Sequence, residues 1–130
     1  MEGGIMRHIR HAKARRKPGE MNDNEFAYNR YLTDLQAAGL IKWFKFEGYK
    51  FKLADNTSFT PDFAVMLNDD TLEFHDTKGR TTKKRAGGKV ETYWCMEDAK
   101  IKLKVAAEIY PHTFKAVWLS KDGTWKSETI

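Results

Sequence analysis

Residues 59–78 constrain the fold more than any other segment. Two apolar runs, 59–67 and 71–78, flank the polar triplet Asn68-Asp69-Asp70. Runs of this kind around a turn predict two antiparallel strands. Such a hairpin sets the start of the first strand beside the end of the second. Pro61-Asp62 and Asp76-Thr77-Lys78 then become neighbours, although Asp62 and Asp76 are 14 positions apart. Side chains alternate along a strand, so Asp76 and Lys78 share a face with Leu72 and Phe74. That face begins apolar and turns polar at its end.

The rest of the chain supplies partners for the hairpin. Asn22, with Glu25 three residues later, forms a capping-box pattern that starts a helix. Tyr28, Tyr31, Leu32, Leu35 and Ala38 recur at helical spacing, and Gly39 is a suitable stop. Residues 43–53 alternate aromatic residues with Lys and Glu around Gly48, which predicts one bent strand or two short ones. Asp55-Asn56-Thr57 is a turn. Pro61 stands near the start of the 59–67 strand, where a missing backbone donor is tolerable. Residues 79–92 are polar, basic and glycine-containing, which predicts a loop or flap. A second helix is expected over 97–110, with Ala99, Leu103, Ala106 and Tyr110 on one face and Pro111 after it. A last strand follows over 114–119, then the turn Lys121-Asp122-Gly123, with Trp125 packing back on the sheet. A helical crossover between the third and fourth strands requires a mixed sheet. The expected fold is therefore α/β or α+β: a mixed four-stranded sheet flanked by helices, in the order αβββαβ.

At 130 residues the chain is expected to form one domain over 21–130, preceded by a flexible basic arm over 1–20. The single Cys95 forms no internal disulfide, which points to a reducing cytoplasm. No apolar run approaches membrane-spanning length, and the N-terminus lacks the apolar core of a secretory signal. The net charge is +5, but its placement is more informative. Arg7, Arg10, Lys13, Arg15, Arg16 and Lys17 form one acid-free stretch. Lys78, Arg80, Lys83, Lys84, Arg85 and Lys89 form another. Two such patches on either side of the acidic hairpin favour a polyanionic partner, because neutralised phosphates release counterions. The alternative is a solvated tail and a solvated loop.

Two adjacent carboxylates repel unless a cation lies between them. Mg²⁺ takes oxygen ligands and retains water, so Asp62, Asp76 and the Thr77 backbone carbonyl make an adequate set, with Mn²⁺ as a substitute. A metal there polarises a phosphate, and Lys78 orients a water or stabilises developing negative charge. Glu25 is a candidate fourth acid, since it precedes the apolar helix face by one turn. Its place in the capping box also accounts for it without chemistry.

The combination of Pro61-Asp62, a hairpin and Asp76-Thr77-Lys78, with Glu25 on the preceding helix, resembles the PD-(D/E)xK nuclease superfamily. The likeness covers about residues 22–120. Within that superfamily the Pro61-Asp62-Phe63 strand, Lys78-Gly79 and the Tyr110-Pro111 ending are similar to small phage and prophage nucleases of the Holliday-junction-resolvase type. The resemblance implies a restriction-endonuclease-like core and Mg²⁺-dependent hydrolysis of DNA phosphodiesters. It implies Asp62 and Asp76 as metal ligands, Lys78 as the catalytic lysine and Glu25 as a supporting acid. Asp76 departs from the commoner Glu, which shortens the reach and keeps the charge. The expected partners are branched or duplex DNA and a second copy of the chain, in a cytoplasm that is the host's if the gene is a phage's. Two alternatives stand beside this expectation. One is a non-catalytic nucleic-acid-binding protein, and the other is a nuclease subunit of a transposase or defence complex.

Several residues have simpler expectations. Lys102 is a candidate phosphate contact, or a lysine whose stem covers the core edge. Lys100 and Lys104 read as solvent-facing charges. His75 has the opposite strand parity from Asp76 and points away from it. Cys95 reads as a small buried apolar residue. Trp43, Phe44 and Phe46 read as core and sheet-face residues.

Overall fold

The structure is a computed structural model and describes residues 19–130. Its first element is α1, Asp23–Ala37, and the sequence dictates both of its ends. The Asn22 side chain accepts from the Glu25 N–H, and the Glu25 carboxylate accepts from the Asn22 N–H, both at 2.8 Å. The chain leaves the helix through Gly39, whose φ of +77° lies in the left-handed region. Tyr28 and Leu32 form the buried stripe of this helix.

Strand β1, Ile41–Phe46, follows. A short hairpin comes next, made of β2, Phe51–Ala54, and β3, Thr57–Phe59. Then come β4, Phe63–Leu67, and β5, Leu72–Arg85. Strand β6, Gly88–Trp94, turns back along β5. Helix α2, Glu97–Ile109, crosses over to β7, Thr113–Leu119, and β8, Trp125–Thr129, closes the described chain. The main sheet has six strands in the order β1-β4-β5-β7-β8, with β6 paired to β5. Among the described residues only the β5–β7 pairing, joined by α2, is parallel, as a helical crossover requires.

The mixed sheet with a helix before the strands and another before β7 agrees with the expected fold class. Three details differ. The segment 59–67 is two strands, because Thr60-Pro61-Asp62 breaks it: β3 pairs with β2, whereas β4 pairs with β1 and β5. Proline supplies no N–H to a ladder, so the chain changes sheets there. The expected loop over 79–92 is a paired ribbon, with β5 running on to Arg85 and returning as β6 from Gly88. Strand β8 is additional; it carries the turn Trp125 makes back onto Tyr28, with ring centroids 4.7 Å apart.

The two faces of the sheet carry separate cores. One packs Tyr28 and Leu32 of α1 on Ile41, Phe63, Val65 and Val117. The other packs Leu103 and Ala106 of α2 on Ala64, Phe74, Phe114, Ala116 and Phe59. A register shift between Ile41 and Trp43 lets Ile41 join Phe44 and Phe46 on the α1 side while Trp43 faces the α2 side. The aromatic residues of β1 are thus core and sheet-face residues, as their pattern suggested.

A polar chain ties α1 to the sheet. The Tyr28 hydroxyl lies 2.7 Å from His75 Nδ1, His75 Nε2 lies 2.9 Å from Glu73 Oε1, and Lys115 Nζ lies 3.2 Å from the same oxygen. His75 therefore points to the α1 side, away from Asp76. The His75 hydrogen bond holds the Glu73 carboxyl below its ordinary range; burial opposes this, and Lys115 reinforces it. A depressed acid contributes stability above its unfolded pKa and loses it as pH falls through its folded value. Glu73→Gln is therefore expected to lower stability by about 1.5–3 kcal/mol at neutral pH. Urea unfolding across the acidic range checks this, because the gap between wild type and variant should shrink as the medium is acidified.

Candidate active site at the end of the β4–β5 hairpin

The register Phe63↔His75 places Asp62 opposite Asp76 at the hairpin's open end. The Asp62 N–H donates to Asp76 Oδ1 at 3.1 Å. The Asp62 carboxylate turns the other way along β5 and accepts at Oδ2 from the Thr77 N–H at 2.8 Å and the Thr77 hydroxyl at 2.9 Å. Lys78 Nζ donates to Asp76 Oδ2 at 2.8 Å, and both side chains are about nine-tenths buried. The sequence-predicted trio of Asp62, Asp76 and Lys78 is thus brought together.

Glu25 joins them from the first turn of α1. It keeps its capping bond to Asn22 and lies close enough for its charge to act on Asp62. Capping and proximity to the site are therefore compatible roles for one side chain. Asn24 also lies beside Gly79, so the start of α1 abuts β5 where the strand leaves the core.

The electrostatics are unbalanced. Asp62 is pushed well above the usual carboxylate range, first by burial, then by the negative charges of Asp76 and Glu25; the Thr77 N–H works against this. Lys78 feels burial that would lower its pKa, but the adjacent Asp76 charge and hydrogen bond outweigh it and raise it. Asp76 and Glu25 thus press on Asp62, while the ammonium of Lys78 is bonded to Asp76. Among the described residues no group of three or more His, Cys, Asp or Glu side chains is disposed to enclose a metal. A pair of carboxylates suits an ion that completes its shell with water and backbone oxygen. Negative charge that Asp76 and Glu25 gather around Asp62 is a condition that a divalent cation relieves.

The remaining predicted residues divide three ways. Arg7, Arg10, Lys13, Arg15, Arg16 and Lys17 lie outside the described residues. Arg80, Lys83, Lys84, Arg85 and Lys89 are exposed along the ribbon. That ribbon is anchored at its root. Glu91 accepts from the Ser120 hydroxyl at 2.6 Å and the Lys121 N–H at 3.0 Å, and the Tyr93 hydroxyl donates to Glu128 at 2.6 Å. Lys102 is half-buried on α2, whereas Lys100 and Lys104 line a cleft beside the ribbon. Cys95, expected to be buried, is partly exposed and lines the same cleft. It follows β6 directly, at the ribbon's root, where a cleft separates it from α2. A paired reading of 88–94, with Val90, Thr92, Tyr93 and Trp94 as strand formers, is the signal that could have placed it there.

No protein-family model matches the chain, and neither does any curated protein or solved structure. Among the described residues no helix is long and apolar enough to cross a membrane.

Proposed function

We propose that the protein is a metal-dependent endonuclease that hydrolyses DNA phosphodiesters, acting on branched structures in the manner of a Holliday-junction resolvase. The observation that carries this reading is the meeting of Asp62, Asp76 and Lys78 at one hairpin end, with the Glu25 charge acting on Asp62. The element order α1, β1, β4, β5, α2, β7 supports it, since this is the αβββαβ order that the resemblance to PD-(D/E)xK nucleases implies. The hairpin β2–β3 and strand β6 are insertions on that plan.

In this reading Asp62 and Asp76 hold Mg²⁺ or Mn²⁺ with the Thr77 carbonyl, and Glu25 supports the set from its edge. When bound, the ion polarises the phosphate and makes a water more acidic. The protein's own groups do the rest. Thr77 fixes the Asp62 carboxylate through two hydrogen bonds, so the ligand is oriented in advance. Lys78 is kept protonated by Asp76 and presents fixed positive charge to the oxygens that gain negative charge. The cations of the ribbon bind backbone phosphates without reading sequence. Paired cuts in two strands require two copies of this site, so the reading includes a two-fold dimer.

The test is a cleavage assay on a four-way junction, a linear duplex and a single strand, each with Mg²⁺, Mn²⁺ or EDTA. Cutting that requires the metal and prefers the junction is the expected result. Salt-sensitive binding without cutting under any condition would replace the enzyme by a binding module.

A further inference from the structure

A trench runs along α2 at the root of the ribbon. Its larger part, about 510 Å³, is bounded by Tyr93 and Cys95 on one side and by Lys100, Leu103 and Lys104 of α2 on the other. Its smaller part, about 210 Å³, shares Tyr93, Cys95 and Lys100 and adds Lys83 and Arg85 from the ribbon. The shared walls make the two parts continuous. Four cations therefore line one path: Lys83, Arg85, Lys100 and Lys104. The acids along it are Glu108 and Glu128, and Glu128 accepts a hydrogen bond from Tyr93. The antiparallel register pairs Gly79 with Trp94, so Cys95, the next residue, lies at the level of Lys78, and this end of the trench is the one nearer the candidate site.

We propose that this trench seats a single nucleic-acid strand leading away from the cleaved phosphate, so that the substrate presents an unpaired strand next to the cut. The proposal rests on the nuclease reading and narrows its substrate. A cleft of this size is on the scale of a small-ligand pocket, roughly 300–1,000 Å³, which admits a few nucleotides and not a duplex. Binding sites for single strands combine a basic groove with aromatic side chains that stack on bases. Here Tyr93 forms part of the wall. Among branched substrates a flap or a fork offers an unpaired strand at its branch point, and a four-way junction offers one where its arms open at the crossover. Lys100 and Lys104 thereby acquire a task that their helical spacing did not reveal.

Cys95 provides a direct readout, because it is the only cysteine in the chain. The rate of its alkylation by iodoacetamide is measured in EDTA, with a single-stranded oligodeoxynucleotide, an oligoribonucleotide of the same sequence, or the corresponding DNA duplex. Either single strand is expected to slow alkylation several-fold and the duplex to leave it nearly unchanged; the ratio of the two single strands reads the sugar preference. The surface variant Arg85→Ala/Lys100→Ala should need about tenfold more single strand for half protection, with the salt slope reduced by about 0.7 per lost cation. Protection by duplex equal to that by single strand would overturn the proposal, as would protection indifferent to the two substitutions. Cleavage by the wild-type protein is measured separately with Mg²⁺. If the enzyme cuts but the trench results fail, only the trench is lost. If single strands protect Cys95 through Arg85 and Lys100 while nothing is cut, the trench stands as a binding site and the nuclease reading falls.

Discussion

Lys78→Ala is expected to reduce metal-dependent cleavage by about 10²–10³-fold, the usual effect of removing one preorganised group that stabilises developing charge. The loss should fall on the chemical step. Lys78 is buried against Asp76 and is not one of the ribbon's exposed cations, so affinity for nucleic acid should change little. Removing the ammonium also leaves Asp76 without its partner, which concentrates negative charge and should preserve or strengthen the hold on a divalent ion. Single-turnover cleavage with enzyme in excess separates these effects. Near-wild-type rates in that assay would exclude Lys78 from the chemistry, and weakened binding with an unchanged rate would make it a phosphate contact instead.

Asp62→Asn should act in opposite directions on stability and on metal response. The folded protein raises the Asp62 pKa, so this residue contributes stability that is fully present below its unfolded pKa and is lost as pH rises through its folded value. At neutral pH, without metal, an ionised Asp62 is a liability. Asparagine keeps an oxygen that can accept from Thr77 and removes the charge, so the variant is expected to melt higher than the wild type in EDTA. Added Mg²⁺ should then reverse the order. A ligand that binds only the folded state at a hundred times its Kd contributes about 2.7 kcal/mol, and the variant should lose most of this gain. Thermal melts of both proteins in EDTA and in Mg²⁺, repeated across pH, check the prediction. A variant less stable than the wild type in EDTA would show that the Asp62 charge is well compensated, and the case for a cation at this point would fail.

Where sequence and structure agree, the local signals are of the kind that tertiary context does not overrule. The Asn22–Glu25 capping box marks a helix start through its own hydrogen bonds, and the Asn68-Asp69-Asp70 turn fixes the register that opposes Asp62 to Asp76. The same parity that puts Asp76 with Lys78 puts His75 against Tyr28 on the reverse face. The ribbon was hidden for a physical reason. Beyond Lys78 both faces of β5 are largely in water, so no apolar alternation announces the strand, and its charges resemble those of a loop. Strand β8 is hidden similarly, since Trp125 is the only large apolar residue among its five. The split at Pro61 was legible as a missing donor but not as a change of sheet, because strand pairing between distant segments leaves no local trace. Lys100 and Lys104 are exposed, as their spacing suggested, and the cleft wall they face comes from another part of the chain, which leaves no local trace.

Strand β5 belongs to two structures at once, the core sheet up to Lys78 and the ribbon from Gly79 to Arg85. The ribbon closes on a tight tip at Ala86-Gly87, away from the residues that align Asp76 and Lys78. Adding or removing one residue pair per strand at that tip would change the ribbon's reach by roughly 6–7 Å for each two residues, with every side chain kept on its face. In the proposed nuclease, cleavage chemistry and substrate span would thus be separable traits. Descendants of such a chain could adjust the length of strand they engage through insertions at one hairpin tip, without disturbing a single contact among Asp62, Asp76 and Lys78.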